Sequence, residues 1–458
     1  MTLDAKFMES IKEILPLAES FCKSVLHYLK TTTNLLEVPI IVKKQVDFNE
    51  NKIVESSVLI RSYIALLQQK CPITVLADFE ESRPLIHGLI DAKILRMRSM
   101  SDIDGNSIEP TFDNDFLWLL NIFQNLIIEY IETEKTLDYH SDKFATLFEL
   151  WVKDQITPTW SEVTIPLIGF TSSINQADVI DGFKICAFSN ESKSKFFNEA
   201  QSISFFYQEI EFYRVTHYLT VDCKQDGNNE ENTRLSAKDI VTGLRLIQEG
   251  LIGARAIFFF RHPRRKKNNQ ISSSMDIFNV TTPDERYKFL NADINPLIEI
   301  VSHLKKVSEK QDKYLNIALR RFNLSYTRNL PEDRLIDWTI SLESTILADI
   351  NSELKYRLAL RGSFLLRKIR NPKETEIILK TMYDMRSKVV HEGLSIHDCV
   401  KNDGKIAKSH SSKDFLSLAE NVTREILREY VRRSILENKN VPSINQEIDE
   451  QLLELMSV

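Results

Sequence analysis

From Asn291 onward the apolar residues recur at three- and four-residue spacings with few interruptions, and this periodicity constrains the fold more than any other feature. The segments "PLIEIVSHLKKVSEKQDKYLNIALRRFNLSYTR", "PEDRLIDWTISLESTILA", "KYRLALRGSFLLRKI", "ETEIILKTMYDMRSKVVHEG" and "SKDFLSLAENVTREILREYVRRSI" each read as amphipathic helix. Pro331 and Pro372 stand near the start of two of them, where a fixed φ and a missing N–H are tolerated. With only 11 Gly and 13 Pro in 458 residues, the chain has few breakers to divide such helices. Residues 291–440 are expected to form an all-α bundle of four or five helices, followed by an acidic amphipathic tail over 441–458.

Upstream the texture differs. Residues 1–156 read as mainly helical, through "SIKEILPLAESFCKSVLHYLK", "ESSVLIRSYIALLQQ" and "DNDFLWLLNIFQNLIIEYIETE", with one β-like stretch, "LEVPIIVKKQVDF". Residues 157–290 read as α/β. "VTIPLIGFTSS", "DGFKICAFS", "EIEFYRVTHYLTVDC" and "ARAIFFF" are strand-like, and "SAKDIVTGLRLIQE" is helical between them. A chain of this length is expected to form two or three domains, and no fixed-period repeat is present.

Composition excludes several classes. The opening "MTLDAKFMES" lacks the basic-then-apolar layout of a signal peptide, and no apolar run reaches membrane-spanning length. The five cysteines (Cys22, Cys71, Cys186, Cys223 and Cys399) form no CxxC pair, so neither a disulfide framework nor a zinc site is suggested. A reducing, cytoplasmic setting is the expectation. The net charge of −6 conceals a basic segment, since residues 311–440 carry 24 Lys and Arg against 18 Asp and Glu. That asymmetry points toward a phosphate-bearing partner. No Walker A loop, GxGxxG fingerprint, HExxH or GxSxG elbow occurs.

Within the helical segment the order is "ALRRFNLSYTR…EDRLIDWTISLEST", then "YRLALRGSFLL", then "MYDMRSKVVHEG". Across about 130 residues this resembles a HEPN-superfamily domain of the Apea-like branch found in bacterial proteins, whose hallmark is an Arg followed four to six residues later by His near the end of a late helix. Arg386 and His391 fit that spacing as R-x4-H. The resemblance implies a metal-independent endoribonuclease without a cofactor, in which a 2′-OH attacks the adjacent phosphate and leaves a 2′,3′-cyclic phosphate end. It further implies a toxin or antiviral abortive-infection effector acting on RNA, with tRNA as the analogous substrate and a phage-derived or nucleotide trigger. A catalytically inactive RNA- or nucleotide-binding or dimerisation module of a defence complex is the alternative. Residue 387 departs from the family pattern: Ser387 stands where active members usually have Asn, Asp or His.

The residue types suit that chemistry. His carries a proton near neutral pH, and Arg offers planar, bidentate donors to a phosphate. On an ideal helix a five-residue separation turns through about 500°, so Arg386 and His391 project about 140° apart. The spacing therefore argues for a homodimer, and the resemblance implies that two copies meet across it and form a composite site in the cleft. The competing reading has Arg386 binding carbonyls at a helix C-terminus and His391 complementing the helix dipole. Glu343 lies on a face with Ile336, Ile340 and Leu347 and needs a partner there. Arg361 or Arg357 is the expected ion-pair partner, with orientation of His391 as the functional alternative. Asp333 and Asp337 read as helix-start acids. Lys388, together with Arg261, Arg264, Arg265, Lys266 and Lys267 of the basic stretch "RHPRRKKNNQ", is a candidate for RNA backbone contacts.

Overall fold

The computed structural model describes residues 5–32, 39–49, 52–61, 63–95, 100–101, 107–108, 112–156, 160–199, 212–221, 230–261, 270–278, 287–310, 312–402 and 411–456. The protein is mainly α with a small, largely antiparallel sheet. It divides into two compact units, residues 1–161 with 260–270, and residues 162–259 with 271–458.

The first unit holds α1 (Ala5–Thr32), β1 (Ile40–Asn49), β2 (Lys52–Arg61), α2 (Tyr63–Lys70), α3 (Ile73–Ala77), α4 (Ser82–Asp91), β3 (Met100–Ser101), β4 (Ser107–Ile108), α5 (Phe112–Glu134) and α6 (Ser141–Ile156). Helix α1 buries Ile14, Ala18, Phe21, Val25 and Leu29, the three- and four-residue stripe that its sequence shows. That stripe joins a core containing Phe123, Phe144, Phe148 and Trp151 of α5 and α6. The expected helix over 55–69 is corrected at its first half. Residues 52–61 pair with β1 as an antiparallel hairpin, from Asn49 opposite Lys52 to Ile40 opposite Arg61. The β-branched residues Ile53, Val54, Val58 and Ile60 favour extended backbone, and helix begins only at Tyr63.

The second unit begins within β5 (Trp160–Leu167) and continues through β6 (Phe170–Ser172), β7 (Gln176–Asp178), β8 (Phe183–Ala187), α7 (Asn190–Glu199), β9 (His217–Val221), α8 (Glu230–Ile247), β10 (Ala254–Arg261), β11 (Gln270–Phe278) and β12 (Tyr287–Phe289). Six strands lie in the order β11-β10-β5-β9-β8-β7, with β9 antiparallel to both β5 and β8. Strand β5 is buried on both faces from Val163 to Leu167, which explains its continuous rather than alternating apolar run.

The helices that follow are α9 (Ile294–Lys310), α10 (Lys313–Ser325), α11 (Pro331–Ile346), α12 (Leu354–Leu365), α13 (Pro372–Glu392), α14 (Ile396–Asn402), α15 (Ser412–Leu436) and α16 (Val441–Met456). The segment 296–328, expected as one helix, is divided at Asp312. Its carboxylate accepts from Tyr314 N and Leu315 N as the N-cap of α10, and also from Val441 N at the start of α16. The acidic residues after 440 form α16, which buries Val441, Ile444 and Ile448. Sheet and helices are joined by Arg245 of α8, a fully buried guanidinium that donates to Ile252 O and to Asn323 Oδ1 and lies over the Tyr326 ring. No described helix is long and apolar enough to cross a membrane.

Candidate functional site

Helix α13 carries the Arg–His pair, and its boundaries follow from local chemistry. Asn371 caps its start by accepting from Lys373 N and Glu374 N, with Pro372 at the first helical position. Gly393 ends it at φ +67°, the left-handed conformation for which glycine is favoured. Thr375, Ile378, Leu379, Met382 and Met385 form its buried stripe, packed toward α11, α12 and α15. That stripe fixes the rotation of the helix, and with it the directions of Arg386 and His391.

Arg386 is half-buried. Its Nε is shielded from solvent without a hydrogen-bond partner, and the guanidinium donates no hydrogen bond to any described residue. The carbonyl-capping alternative for Arg386 therefore has no bond among the described residues. His391 is exposed on the last turn, at the negative end of the helix dipole. The helix is regular through Glu392, so the angular separation of about 140° applies without local unwinding. One chain does not focus the two side chains on one point. Ser387 and Lys388 are half-buried on the side of the helix turned toward His391, and Lys388 lies near the buried thiol of Cys399 on α14.

Glu343 on α11 is the electrostatic neighbour of Arg386. Burial raises its carboxyl above the ordinary carboxylate range, and the Arg386 charge offsets only part of that rise. The expected pairing of Glu343 with Arg361 or Arg357 is corrected. Arg361 donates to Ile346 O, Asp349 and Asp449, and Arg357 pairs with Glu353, the N-cap residue of its own helix. Arg361 reaches the C-terminal end of α11, where Asp349 follows; Glu343 stands one to two turns earlier and faces α13. Asp337 is also not a simple helix-start acid. It is 1% exposed and accepts from Arg321 (3.1 Å) and Arg328 (2.7 Å), whereas Asp333 is exposed.

Of the basic stretch, Arg264, Arg265, Lys266 and Lys267 lie outside the described residues, and Arg261 ends β10. Cys223 also lies outside them; Cys22, Cys71 and Cys399 are buried free thiols and Cys186 is half-buried. Among the described residues no three His, Cys, Asp or Glu side chains cluster as metal ligands would. Compared with protein-family models, with curated proteins and with solved structures, the chain has no match.

Proposed function

We propose that this chain is an endoribonuclease of the HEPN type, with the α9–α15 helices as its HEPN bundle and Arg386 and His391 as its catalytic pair. The observation that carries this reading is the state of Arg386. A half-buried guanidinium keeps its donors uncommitted beside a carboxyl that is itself poorly solvated, near the end of a helix whose last turn presents an exposed His. A guanidinium in that condition suits a ligand oxyanion, because its donors have no intramolecular bond to give up.

In the proposed reaction a ribose 2′-OH attacks the adjacent phosphorus, and the bond to the 5′-oxygen of the next nucleotide breaks. His391 accepts the 2′ proton or delivers one to the leaving oxygen, while Arg386 balances the negative charge that grows on the phosphate. The products are a 2′,3′-cyclic phosphate and a 5′-hydroxyl, without a metal or cofactor. Glu343 is the electrostatic neighbour of Arg386, and Ser387 and Lys388 border the same segment. The divergence of Arg386 and His391 on one helix supports a homodimer, in which one chain's Arg acts with its partner's His. RNA, with tRNA as the analogous substrate, and a toxin or antiviral role complete the reading.

The same divergence favours a second reading, a catalytically inactive module that binds RNA or dimerises. The assay that separates the two is cleavage of labelled RNA by wild type, Arg386→Ala and His391→Ala. Under the first reading each variant loses cleavage by a factor of at least about 100, within the range of general acid–base contributions, and chelator leaves wild-type activity intact. Cleavage surviving in either variant refutes the assignment, and no cleavage by wild type favours the inactive module.

A further inference from the structure

Helices α9, α12, α15 and α16 enclose a cleft of about 740 Å³, and none of its lining residues lies on α13. The volume falls within the range that small-molecule sites occupy. One face of α15 forms a wall through Glu425, Arg428, Glu429 and Arg432, spaced at three and four residues. Pro296, Glu299, Ile300 and His303 of α9 form the opposite wall by the same spacing. The turn after α12, from Leu365 to Ile369, and Ile448 of α16 complete the lining.

Most of the charge in this cleft is already matched. Glu429 accepts from Arg432 at 2.6 Å, and Glu425 pairs with Arg370. Glu437 and Glu447 share Arg433 and Lys439. Lys368, Arg428 and Glu299 differ. All three are exposed, they come from separate elements, and none has an ion-pair or hydrogen-bond partner among the described residues. His303 supplies an independent observation. It is 8% exposed, lines the cleft, and its ring makes no hydrogen bond to any described residue. Its ring nitrogens are open to the cavity, so they are free to bond a ligand there. Ile300, Leu365 and Ile448 line the same cleft with apolar side chains.

We propose that this cleft binds a small organic phosphate monoester. The phosphate bridges Lys368 and Arg428, an apolar or planar body lies on Ile300, Leu365 and Ile448, and a hydroxyl or ring heteroatom bonds His303. Lys368 and Arg428 offer two uncommitted positive charges to a dianionic phosphate, against the single uncommitted carboxylate of Glu299 on α9. A nucleic-acid strand fits less well, because the lining carboxylates would stand along a chain of successive phosphates. The site is independent of the Arg386 and His391 assignment.

The test is calorimetric titration of the full chain with 4-methylumbelliferyl phosphate. One saturable site is expected, and Lys368→Ala and Arg428→Ala each weaken it about tenfold, as the loss of a charge-assisted bond does. Both residues are exposed, so neither change threatens folding. Arg386→Ala and His391→Ala leave the affinity unchanged, which keeps this outcome separate from that of the ribonuclease assay. Absence of saturation overturns the proposal, as does equal affinity in the Lys368→Ala/Arg428→Ala double variant. Equal binding of 4-methylumbelliferone would reduce the cleft to an apolar pocket. Equal binding of inorganic phosphate would reduce it to an ion site, and displacement of the probe by single-stranded RNA would make it a nucleic-acid track; each of these also overturns it.

Discussion

Replacing Gly362 with Ala sets two effects of known size against each other. Gly362 lies inside α12, where alanine is intrinsically favoured over glycine by about 1 kcal/mol. A methyl group there would overlap Leu379 Cδ1 of α13, sit 3.3 Å from Ile346 Cδ1 of α11 and 3.5 Å from Ile426 Cδ1 of α15. Leu379 and Ile426 are fully buried, as is Ile346, so the clash is closed in by three helices and not relieved into solvent. Overpacking of this kind costs about 1–3 kcal/mol. The balance is a net loss of up to about 2 kcal/mol, read as a lower urea midpoint at unchanged slope. A double-mutant cycle identifies the cause. Leu379→Ala alone should cost about 2–5 kcal/mol, but markedly less in the Gly362→Ala background, where the cavity accepts the new methyl. Stabilisation of Gly362→Ala by the full propensity difference, or strict additivity with Leu379→Ala, refutes the reasoning. Because Leu379 is on the buried stripe of α13, the same variant should displace Arg386 and lower any RNA cleavage.

Further outcomes follow from the charged groups. Arg361→Ala should cost about 3 kcal/mol, the lower end for a broken buried pair, since its partners Asp349 and Asp449 are themselves about one-third exposed. Burial alone would raise the Asp349 carboxyl, but its bonds from Arg361 and Asn445 more than offset this and hold it below the ordinary range. Its contribution is therefore present above the ordinary carboxylate range and lost as pH falls through the lowered folded value. The pH dependence of the urea midpoint should flatten on the acid side in Asp349→Asn. Glu343 has the opposite sign: burial raises it, so the folded state holds its proton more tightly and stability falls as pH rises through that window. Glu343→Gln should be more stable than wild type at pH 7, with the difference shrinking toward pH 4.5; a constant difference across that range would refute the argument.

Some of this structure was legible because the chemistry is local. Pro372 and Gly393 mark the ends of α13, and the apolar stripe between them fixes which side is buried. These signals act within one or two turns, and no distant residue is needed to interpret them. The hairpin was less legible. Residues 55–61 alternate poorly, and only the register with β1 decides that their β-branched residues extend and do not coil. Asp312 likewise sits in an unbroken periodic pattern, and its capping role shows only where the next N–H groups turn toward it.

The partner of a charge is the hardest property to read, because it depends on which helices meet. The stripe Glu343, Ile336, Ile340 and Leu347 identifies a carboxyl needing a partner, but nothing local distinguishes Arg361 from Arg386. Packing decides it: Asp349, a turn and a half beyond, satisfies Arg361, and Glu343 is left to α13. The α15 face of Glu425, Arg428, Glu429 and Arg432 shows the converse. By spacing it is an ordinary solvated surface laced with (i, i+3) and (i, i+4) pairs. It becomes the wall of a cleft only because α9 and α16 approach on either side. Lys368 and Arg428 remain exposed there, and what the cleft adds is that a single ligand can meet both while its body is covered by the walls. The one available signal was His303, an ionisable ring at three- and four-residue spacing from Pro296, Glu299 and Ile300. On a sequence it reads as a satisfied core histidine; an imidazole with no bond to any described residue is visible only in three dimensions.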